Sequence, residues 1–251
     1  MMNKVKEMTR KGQTAIGLWI SIDDPHVVEI LSMTGYDFFM FDCEHSPMSI
    51  EKMQDLLISM RMSDTVPMVR VPSSERAFIQ KALDAGAQGI MIPLVNTRQD
   101  AIDVVKKCRY PPAGVRGIGP WSAARHDDKY LETANDEVMV ITQIETKEAV
   151  DNLDEILSVE GIDCIFIGPS DLSGSLGLIG EKDRLRHPKN IEAVDTIVKA
   201  CRNAKIPVAT TALYPAKKLV EQGYDMVLAA HDVQLLKSAA IELRDSLKTR
   251  K

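Results

Sequence analysis

The sequence predicts a single (β/α)₈ barrel that occupies residues 1–251 as one domain. A barrel of this kind needs about 250 residues, and the chain has 251. Eight short apolar segments alternate with longer amphipathic ones along the whole chain. This alternation indicates parallel strands that are covered by helices. An open, doubly wound sheet is the alternative architecture.

The eight predicted strands are four to seven residues long and rich in Val, Ile, Phe and Met. Most are apolar on both faces, as expected for parallel strands buried beneath helices. Pro67 and Pro207 each stand at the start of a strand, where the missing N–H costs least. The strands are predicted over Thr14–Trp19, Asp37–Phe41, Val66–Arg70, Gly89–Pro93, Val138–Ile144, Asp163–Ile167, Pro207–Thr210 and Asp225–Ala229.

Amphipathic segments between these strands predict the covering helices. In DAGAQG (84–89) and EQGYD (221–225), a glycine follows a helix and precedes a strand, where a C-terminal cap is needed. The glycine spacing of GVRGIG (114–119) resembles a phosphate-binding loop, but it follows a helix and Pro-Pro rather than a strand. We predict a loop near the mouth of the barrel there. Helices are predicted over Ile50–Arg61, Glu75–Ala85, Thr97–Cys108, Lys147–Leu157 and Ile191–Ala204.

Charge and composition exclude several classes of partner. The net charge of -5 argues against nucleic-acid binding, which requires a basic face. No segment approaches the ~20 apolar residues of a membrane span, and no apolar region follows the charged N-terminus. We therefore predict a cytoplasmic protein with no membrane partner. The four cysteines form no C-x-x-C pair, so reduced thiols are predicted at Cys43, Cys108, Cys164 and Cys201.

Polar residues at the carboxyl ends of barrel strands are informative because that face carries the active site. Glu145 follows the fifth strand and Asp171 the sixth, so both carboxylates could bind one hard cation such as Mg²⁺ or Mn²⁺. Alternatively, Asp171 caps a turn and Glu145 interacts with a helix N-terminus. The polar residues at strand ends are Trp19, Asp42–Cys43–Glu44–His45, Arg70, Gln143, Glu145 and Ser170–Asp171.

Asp42 and His45 lie three residues apart after the second strand. A carboxylate bonded to one imidazole nitrogen raises the basicity of the other, which predicts a general base. A loop histidine satisfied by a backbone carbonyl is the simpler alternative. Arg70 ends an apolar strand, where it binds either a buried acid or a substrate carboxylate or enolate.

Lysine is absent from all eight predicted strands. An enzyme that forms a Schiff base with its substrate needs a lysine projecting into the barrel. Lys147, just after Glu145, is the nearest lysine and starts a helix. The sequence therefore disfavours an imine mechanism.

Several motifs together resemble the HpcH/HpaI aldolase family over nearly the whole chain and in the same order. As a set, the D-x-E-H, Q-x-E and S-D-L-S elements are specific. The motifs are GLW (17–19), FDCEHSP (41–47), VPMVRVP (66–72), GAQGIMIP (86–93), GVRGIG (114–119), QIET (143–146) and GPSDLSGSLG (168–177).

The resemblance implies a class II pyruvate aldolase that reversibly cleaves a 4-hydroxy-2-oxo acid to pyruvate and an aldehyde. Glu145 and Asp171 would bind a divalent metal ion, Mg²⁺, Mn²⁺ or Co²⁺. His45, paired with Asp42, would move protons, and Arg70 would stabilise the enolate. The implied substrate-binding residues are Trp19, Gln143 and Ser170.

The resemblance also implies a homohexamer in which the last helix packs on, or swaps with, a neighbouring subunit. The apolar residues 233–243 are consistent with such a helix. His231 departs from the family pattern, which has a small or hydrophobic residue there, and could alter the aldehyde side of the pocket.

Two rival functions remain open. An acyl-CoA lyase of the citrate lyase branch would need a basic groove, and a barrel that only binds keto acids would not need a base.

Overall fold

In a computed structural model, which describes residues 2–211 and 213–248, eight parallel strands close into a barrel. Each strand pairs with the next along the chain, and the first pairs with the last. The predicted (β/α)₈ barrel is confirmed. The strands are β1 (Ala15–Ile20), β2 (Phe38–Asp42), β3 (Val66–Arg70), β4 (Gly89–Ile92), β5 (Met139–Ile144), β6 (Cys164–Ile167), β7 (Val208–Thr211) and β8 (Met226–His231).

Twelve α-helices lie within the described residues, together with two short 3₁₀ helices at Ala123–His126 and Arg184–Arg186. The helix predicted over Lys147–Leu157 is divided in two at Asn152. The α-helices are α1 (Lys4–Arg10), α2 (Pro25–Ser32), α3 (Ile50–Ser59), α4 (Arg76–Ala85), α5 (Arg98–Cys108), α6 (Tyr130–Glu137), α7 (Lys147–Asp151), α8 (Leu153–Leu157), α9 (Pro169–Ser175), α10 (Pro188–Ala204), α11 (Ala216–Glu221) and α12 (Asp232–Lys248).

Alternate residues of each strand pack into two separate cores. Phe38 and Met40 of β2 point into the barrel, whereas Phe39 and Phe41 pack beneath the helices. This follows from the two-residue period of a strand. Methionine, which adapts to irregular spaces, fills much of the interior. The interior methionines are Met40, Met68, Met91, Met139 and Met226.

The GVRGIG segment lies at the amino ends of the strands, so the predicted position near the mouth is wrong. It belongs to the connection from α5 to β5, which must enter a parallel strand at its amino end. Arg116 of this segment is buried and donates to Asp84 of α4 at 2.7 Å. Its guanidinium also stacks on the ring of Tyr110, 4.4 Å from the centroid. The segment therefore supports the barrel on the side away from the mouth.

The four cysteines are all buried and free, which agrees with the prediction of reduced thiols. Burial raises the pKa of the Cys43 thiol to about 12, so it stays protonated at neutral pH. Within residues 2–211 and 213–248, no helix is both long and apolar enough to cross a membrane.

Candidate active site

Polar side chains from several strands meet at the carboxyl end of the barrel. The strand register brings them together in pairs: Asp42 aligns with Arg70 across β2 and β3, and Trp19 aligns with His231 across β1 and β8. Because all eight strands are parallel, the residues that follow them open onto the same mouth. The site is therefore assembled from strand ends that are distant in sequence.

Arg70 forms a buried, bidentate ion pair with Asp42. Its Nε donates to Oδ1 at 3.0 Å and its Nη2 to Oδ2 at 2.8 Å. Burial raises the pKa of Asp42, but the hydrogen bonds and charge of Arg70 outweigh it and hold that pKa below its usual range. Of the two partners considered for Arg70, the buried acid is present in the structure. The pair does not use Nη1 or one Nη2 hydrogen, and Nη1 lies 3.2 Å from Oε2 of Glu44.

The predicted contact between Asp42 and the imidazole of His45 is not formed. Asp42 Oδ1 instead accepts the backbone N–H groups of Glu44 and His45, each at 3.1 Å. These backbone N–H groups and Arg70 together occupy the carboxylate of Asp42, which therefore makes no hydrogen bond to the imidazole of His45. The side chain of His45 is 58% exposed, and its Nε2 lies 3.8 Å from Oε2 of Glu44. The turn thus fixes the backbone of His45 and leaves its ring open to the mouth.

Glu44 is a site residue that the sequence reasoning did not assign. Its Oε2 lies 3.2 Å from Nη1 of Arg70 and is buried without a hydrogen bond within the described residues. Burial raises the pKa of Glu44, and the charges of Asp42 and Asp171 raise it further, against the lowering by Arg70. The sequence feature that could have identified Glu44 as a site residue is its position next to His45, directly after the second strand.

Glu145 is buried just beyond β5 and is held by two donors. Its Oε1 accepts the backbone N–H of Leu94 at 2.9 Å, and its Oε2 accepts the side-chain amide of Gln143. Leu94 has a φ of 54°, a left-handed conformation that is uncommon for leucine and aims this N–H at the carboxylate. At Gly168, a Cβ atom would lie 2.8 Å from Oε2 of Glu145, so a side chain there would collide with the carboxylate.

Burial raises the pKa of Glu145 to about 7. The hydrogen bond from Leu94 lowers this pKa, whereas the negative charges of Glu44 and Asp171 raise it further. A cation would relieve this repulsion, and carboxylate oxygens are the donors that Mg²⁺ and Mn²⁺ prefer. These carboxylates could therefore hold a divalent metal ion.

Ser170 and Asp171 lie in the first turn of α9, directly after β6. The carbonyl of Ser170 accepts a hydrogen bond from Nη1 of Arg184 at 2.6 Å, which anchors this turn, and Asp171 is exposed. Within residues 2–211 and 213–248, no cluster of three or more His, Cys, Asp or Glu side chains is arranged to hold a metal. A metal bound by two carboxylates would complete its shell with water and substrate oxygens.

Trp19, near the end of β1, packs against several side chains of the site. The guanidinium carbon of Arg70 lies 4.3 Å from the centroid of its ring, and the imidazole of His231 stacks on it at 5.7 Å. The ring of Phe166 packs edge-on against the indole of Trp19. The indole Nε1 of Trp19 donates a hydrogen bond to Oγ1 of Thr211 at 3.3 Å. The ring of Trp19 thus contacts both the guanidinium of Arg70 and the imidazole of His231 at the end of β8.

Two buried polar atoms of the site have no hydrogen-bond partner within the described residues, namely Oε1 of Gln143 and Oε2 of Glu44. Buried polar atoms are normally hydrogen-bonded, so Oε1 of Gln143 indicates a missing partner, whereas Oε2 of Glu44 still has its ion pair with Arg70. The guanidinium of Arg70, several carboxylates and the amide of Gln143 surround one opening. It is suited to an oxygen-rich anionic ligand held together with a metal ion.

Comparison with known proteins identifies similar sequences over nearly the whole chain. A family model described as HpcH/HpaI aldolase/citrate lyase matches residues 15–239. A hydroxypyruvate/pyruvate aldolase from Roseobacter denitrificans is 37% identical over 243 residues, which cover 94% of this chain and 93% of that protein. A 2-keto-3-deoxy-L-rhamnonate aldolase from Escherichia coli is 37% identical over 246 residues, covering 95% and 91%.

Solved structures show the same similarity. The crystal structure of a family protein from Burkholderia cenocepacia superimposes with a TM-score of 0.92 at 32% sequence identity. The match covers 99% of this chain and 100% of that chain.

Proposed function

The chain belongs to the HpcH/HpaI aldolase/citrate lyase family, and from that premise we propose that it reversibly cleaves a 4-hydroxy-2-oxo acid to pyruvate and an aldehyde. It is an aldolase, a carbon–carbon lyase, and its metal dependence is that of class II. The proposed substrates are 2-keto-3-deoxy sugar acids or 4-hydroxy-2-oxoheptanedioate. One observation carries the proposal: the buried Glu145 carboxylate lies beside like charges, in a mouth that also holds Arg70.

In this proposal Glu145 and Asp171 hold a divalent cation, Mg²⁺, Mn²⁺ or Co²⁺. The bound cation supplies Lewis acidity toward the keto and carboxylate oxygens of the substrate. The hydrogen bonds from Leu94 and Gln143 fix the orientation of Glu145, so the carboxylate is preorganised for binding the cation. Gly168 keeps the space beside that carboxylate free of a side chain.

Arg70 supplies the positive charge that stabilises the enolate of pyruvate. Asp42 acts as its positioning residue because the bidentate pair fixes the plane of the guanidinium. The stack on Trp19 restrains the same group from another direction. The N–H groups of Arg70 that Asp42 does not occupy can then bind the developing negative charge. Gln143, Ser170 and Trp19 line the rest of the pyruvate site.

His45 takes and returns the proton in this proposal, directly or through a water molecule. Its exposed ring is reachable from the mouth, and the turn around Asp42 fixes its backbone. In the cleavage direction, a proton leaves the C4 hydroxyl as the C3–C4 bond breaks. A proton is then added to C3 of the enolate, which gives pyruvate.

We expect a chelator to abolish the release of pyruvate from a panel of 4-hydroxy-2-oxo acids, and added Mg²⁺, Mn²⁺ or Co²⁺ to restore it. The expectation follows from the carboxylate set and from the eight strands, none of which contains a lysine. The measurement is pyruvate formation before and after dialysis against the chelator.

The same panel separates the rival functions. An acyl-CoA lyase would release no pyruvate from hydroxy-oxo acids, and a barrel that only binds keto acids would turn over none of them. Covalent inactivation by borohydride in the presence of pyruvate would instead identify an imine and contradict the metal mechanism.

The final helix α12 supports our proposal that the protein is a homo-oligomer, a hexamer. Leu236, Leu243 and Leu247 are 65%, 65% and 72% exposed, respectively. Their spacing of seven and four residues places them on one face of the helix. An apolar face of this kind, left open in the single chain, is typical of a subunit interface.

The double substitution Leu236→Glu and Leu243→Glu is expected to reduce the mass measured by light scattering at micromolar concentration. Charged groups on this face oppose burial between subunits. Ser238→Glu is the matched control, since Ser238 is exposed and lies about 200° around the helix from Leu236. A monomeric wild type at that concentration would contradict the proposed oligomer.

A further inference from the structure

The two proposed metal ligands are held in different ways. The carboxylate of Glu145 is buried and accepts hydrogen bonds from Leu94 and Gln143. The carboxylate of Asp171 is exposed, and no donor in the described part of the chain forms a hydrogen bond with it. The position of Asp171 at the mouth is therefore determined by its backbone, which lies in the first turn of α9.

Helix α9 is too short to hold this turn by itself. It has seven residues, PSDLSGS, and helices of this length are marginal without tertiary contacts. Its N-cap residue, Gly168, has no side chain that could accept a capping hydrogen bond. Leu172 is fully buried and provides one tertiary contact on the apolar side of α9. The polar side of the turn depends on contacts with other parts of the chain.

Arg184 provides such a contact from the connection between α9 and α10. Its Nη1 donates to the carbonyl oxygen of Ser170 and to Oγ of Ser173, each at 2.6 Å. Oγ of Ser173 also donates to the same carbonyl, at 2.7 Å. That carbonyl belongs to the peptide bond between Ser170 and Asp171, and a peptide bond is planar. Arg184 therefore fixes the peptide plane that leads into Asp171.

The backbone beside Arg184 is fixed in turn by α10. Asn190, which is fully buried in the first turn of α10, donates to the carbonyl of Leu185 at 2.8 Å and to that of Pro169 at 3.4 Å. The two carbonyls that precede Asp171 are thus both held by side chains from outside α9.

We propose that Arg184 is a positioning residue that holds Asp171 at the mouth of the barrel, so that the affinity for the divalent cation depends on it. Arg184 acts through the backbone of Ser170 and Asp171 and not by contact with the cation. A ligand that is already held in place loses less conformational freedom when the cation binds, which raises the affinity. This inference rests on the proposed function, in which Asp171 is a metal ligand, and deepens it.

Positioning and charge have opposite effects on cation binding here. A guanidinium beside the site repels the cation, so its removal would tighten binding if charge alone mattered. If Arg184 instead holds Asp171 in place, its removal weakens binding. Loss of a side chain that orients a metal ligand typically lowers the affinity for the metal by about 10–100-fold.

Arg184→Met keeps the length of the side chain but removes the charge and every donor. We expect this variant to raise the Kd for Mn²⁺, measured by calorimetric titration, by at least about tenfold. Arg184→Lys keeps the charge and a donor for the carbonyl of Ser170, and should hold the Kd within about threefold of wild type. Arg186→Met is the matched control, because Arg186 is exposed, pairs with Asp183 and should leave the Kd at the wild-type value.

Thermal unfolding of each variant separates a loss of affinity from a loss of stability. If Arg184→Met does not fold, Ser173→Ala decides, because it removes one acceptor of Arg184, keeps the charge and should raise the Kd by about threefold or more. A Kd at or below the wild-type value in the deciding variant overturns this inference alone. A wild type that binds no Mn²⁺ and releases no pyruvate from hydroxy-oxo acids overturns the proposed function, and this inference with it.

Discussion

Glu145→Gln is expected to abolish binding of the divalent cation and to slow pyruvate release by at least about 10³-fold, equivalent to about 4 kcal/mol of lost transition-state stabilisation. The amide has nearly the shape of the carboxylate and can still accept the N–H of Leu94. It lacks the negative charge that a cation requires. Calorimetric titration with Mn²⁺ measures the binding, and a pyruvate assay measures the rate.

Glu148→Gln is the matched control for this substitution. Glu148 lies three residues further along, on the exposed side of α7, and its loss should leave both measurements near wild type. Wild-type metal affinity in Glu145→Gln would show that the metal is bound elsewhere.

The affinity for the cation should depend on pH in a direction that the burial of Glu145 determines. Its raised pKa of about 7 means that the carboxyl group is protonated below that pH in the metal-free protein. The cation must then displace a proton, so its Kd should rise by about tenfold for each pH unit below 7 and level off above it. A Kd that does not change between pH 5.5 and 7 would contradict this role of Glu145.

The fold could be predicted from the sequence because its main signal is local. Runs of apolar residues, amphipathic segments and terminal glycines report on single elements, and the order of elements then defines a barrel. The strand ends differ from the prediction by at most two residues, and β3 agrees with it at both ends. The largest difference is at β8, which continues through His231 although the apolar run stops before it.

The contacts of the site were less predictable because they depend on register between strands. Spacing along the chain suggested that Asp42 would bind the ring of His45, three residues away. In the barrel Asp42 instead lies opposite Arg70 in the next strand, and a bidentate arginine is the stronger partner for a buried carboxylate. Glu44 escaped assignment for the same reason, since its importance comes from Arg70 and Asp171, which are remote in sequence.

His45→Ala is expected to lower the catalytic rate by about 10²–10⁴-fold, the usual contribution of general acid–base catalysis. Pyruvate alone provides the test, because removal of a methyl proton gives the same enolate that cleavage produces. In deuterated water the wild type should exchange the methyl protons of pyruvate for deuterium. We expect slow exchange in both His45→Ala and Asp171→Ala, which NMR spectroscopy can follow directly.

Metal affinity separates the two causes of slow exchange. Asp171→Ala should also lose affinity for Mn²⁺, because Asp171 is a proposed ligand, whereas His45→Ala should bind Mn²⁺ as the wild type does. His26→Ala is the matched control for loss of an exposed histidine and should exchange at the wild-type rate. The exposed ring of His45 has no hydrogen bond with Asp42, and the carboxylate oxygen beside its Nε2 is Oε2 of Glu44, 3.8 Å away. Exchange at the wild-type rate in His45→Ala would show that another group removes the proton.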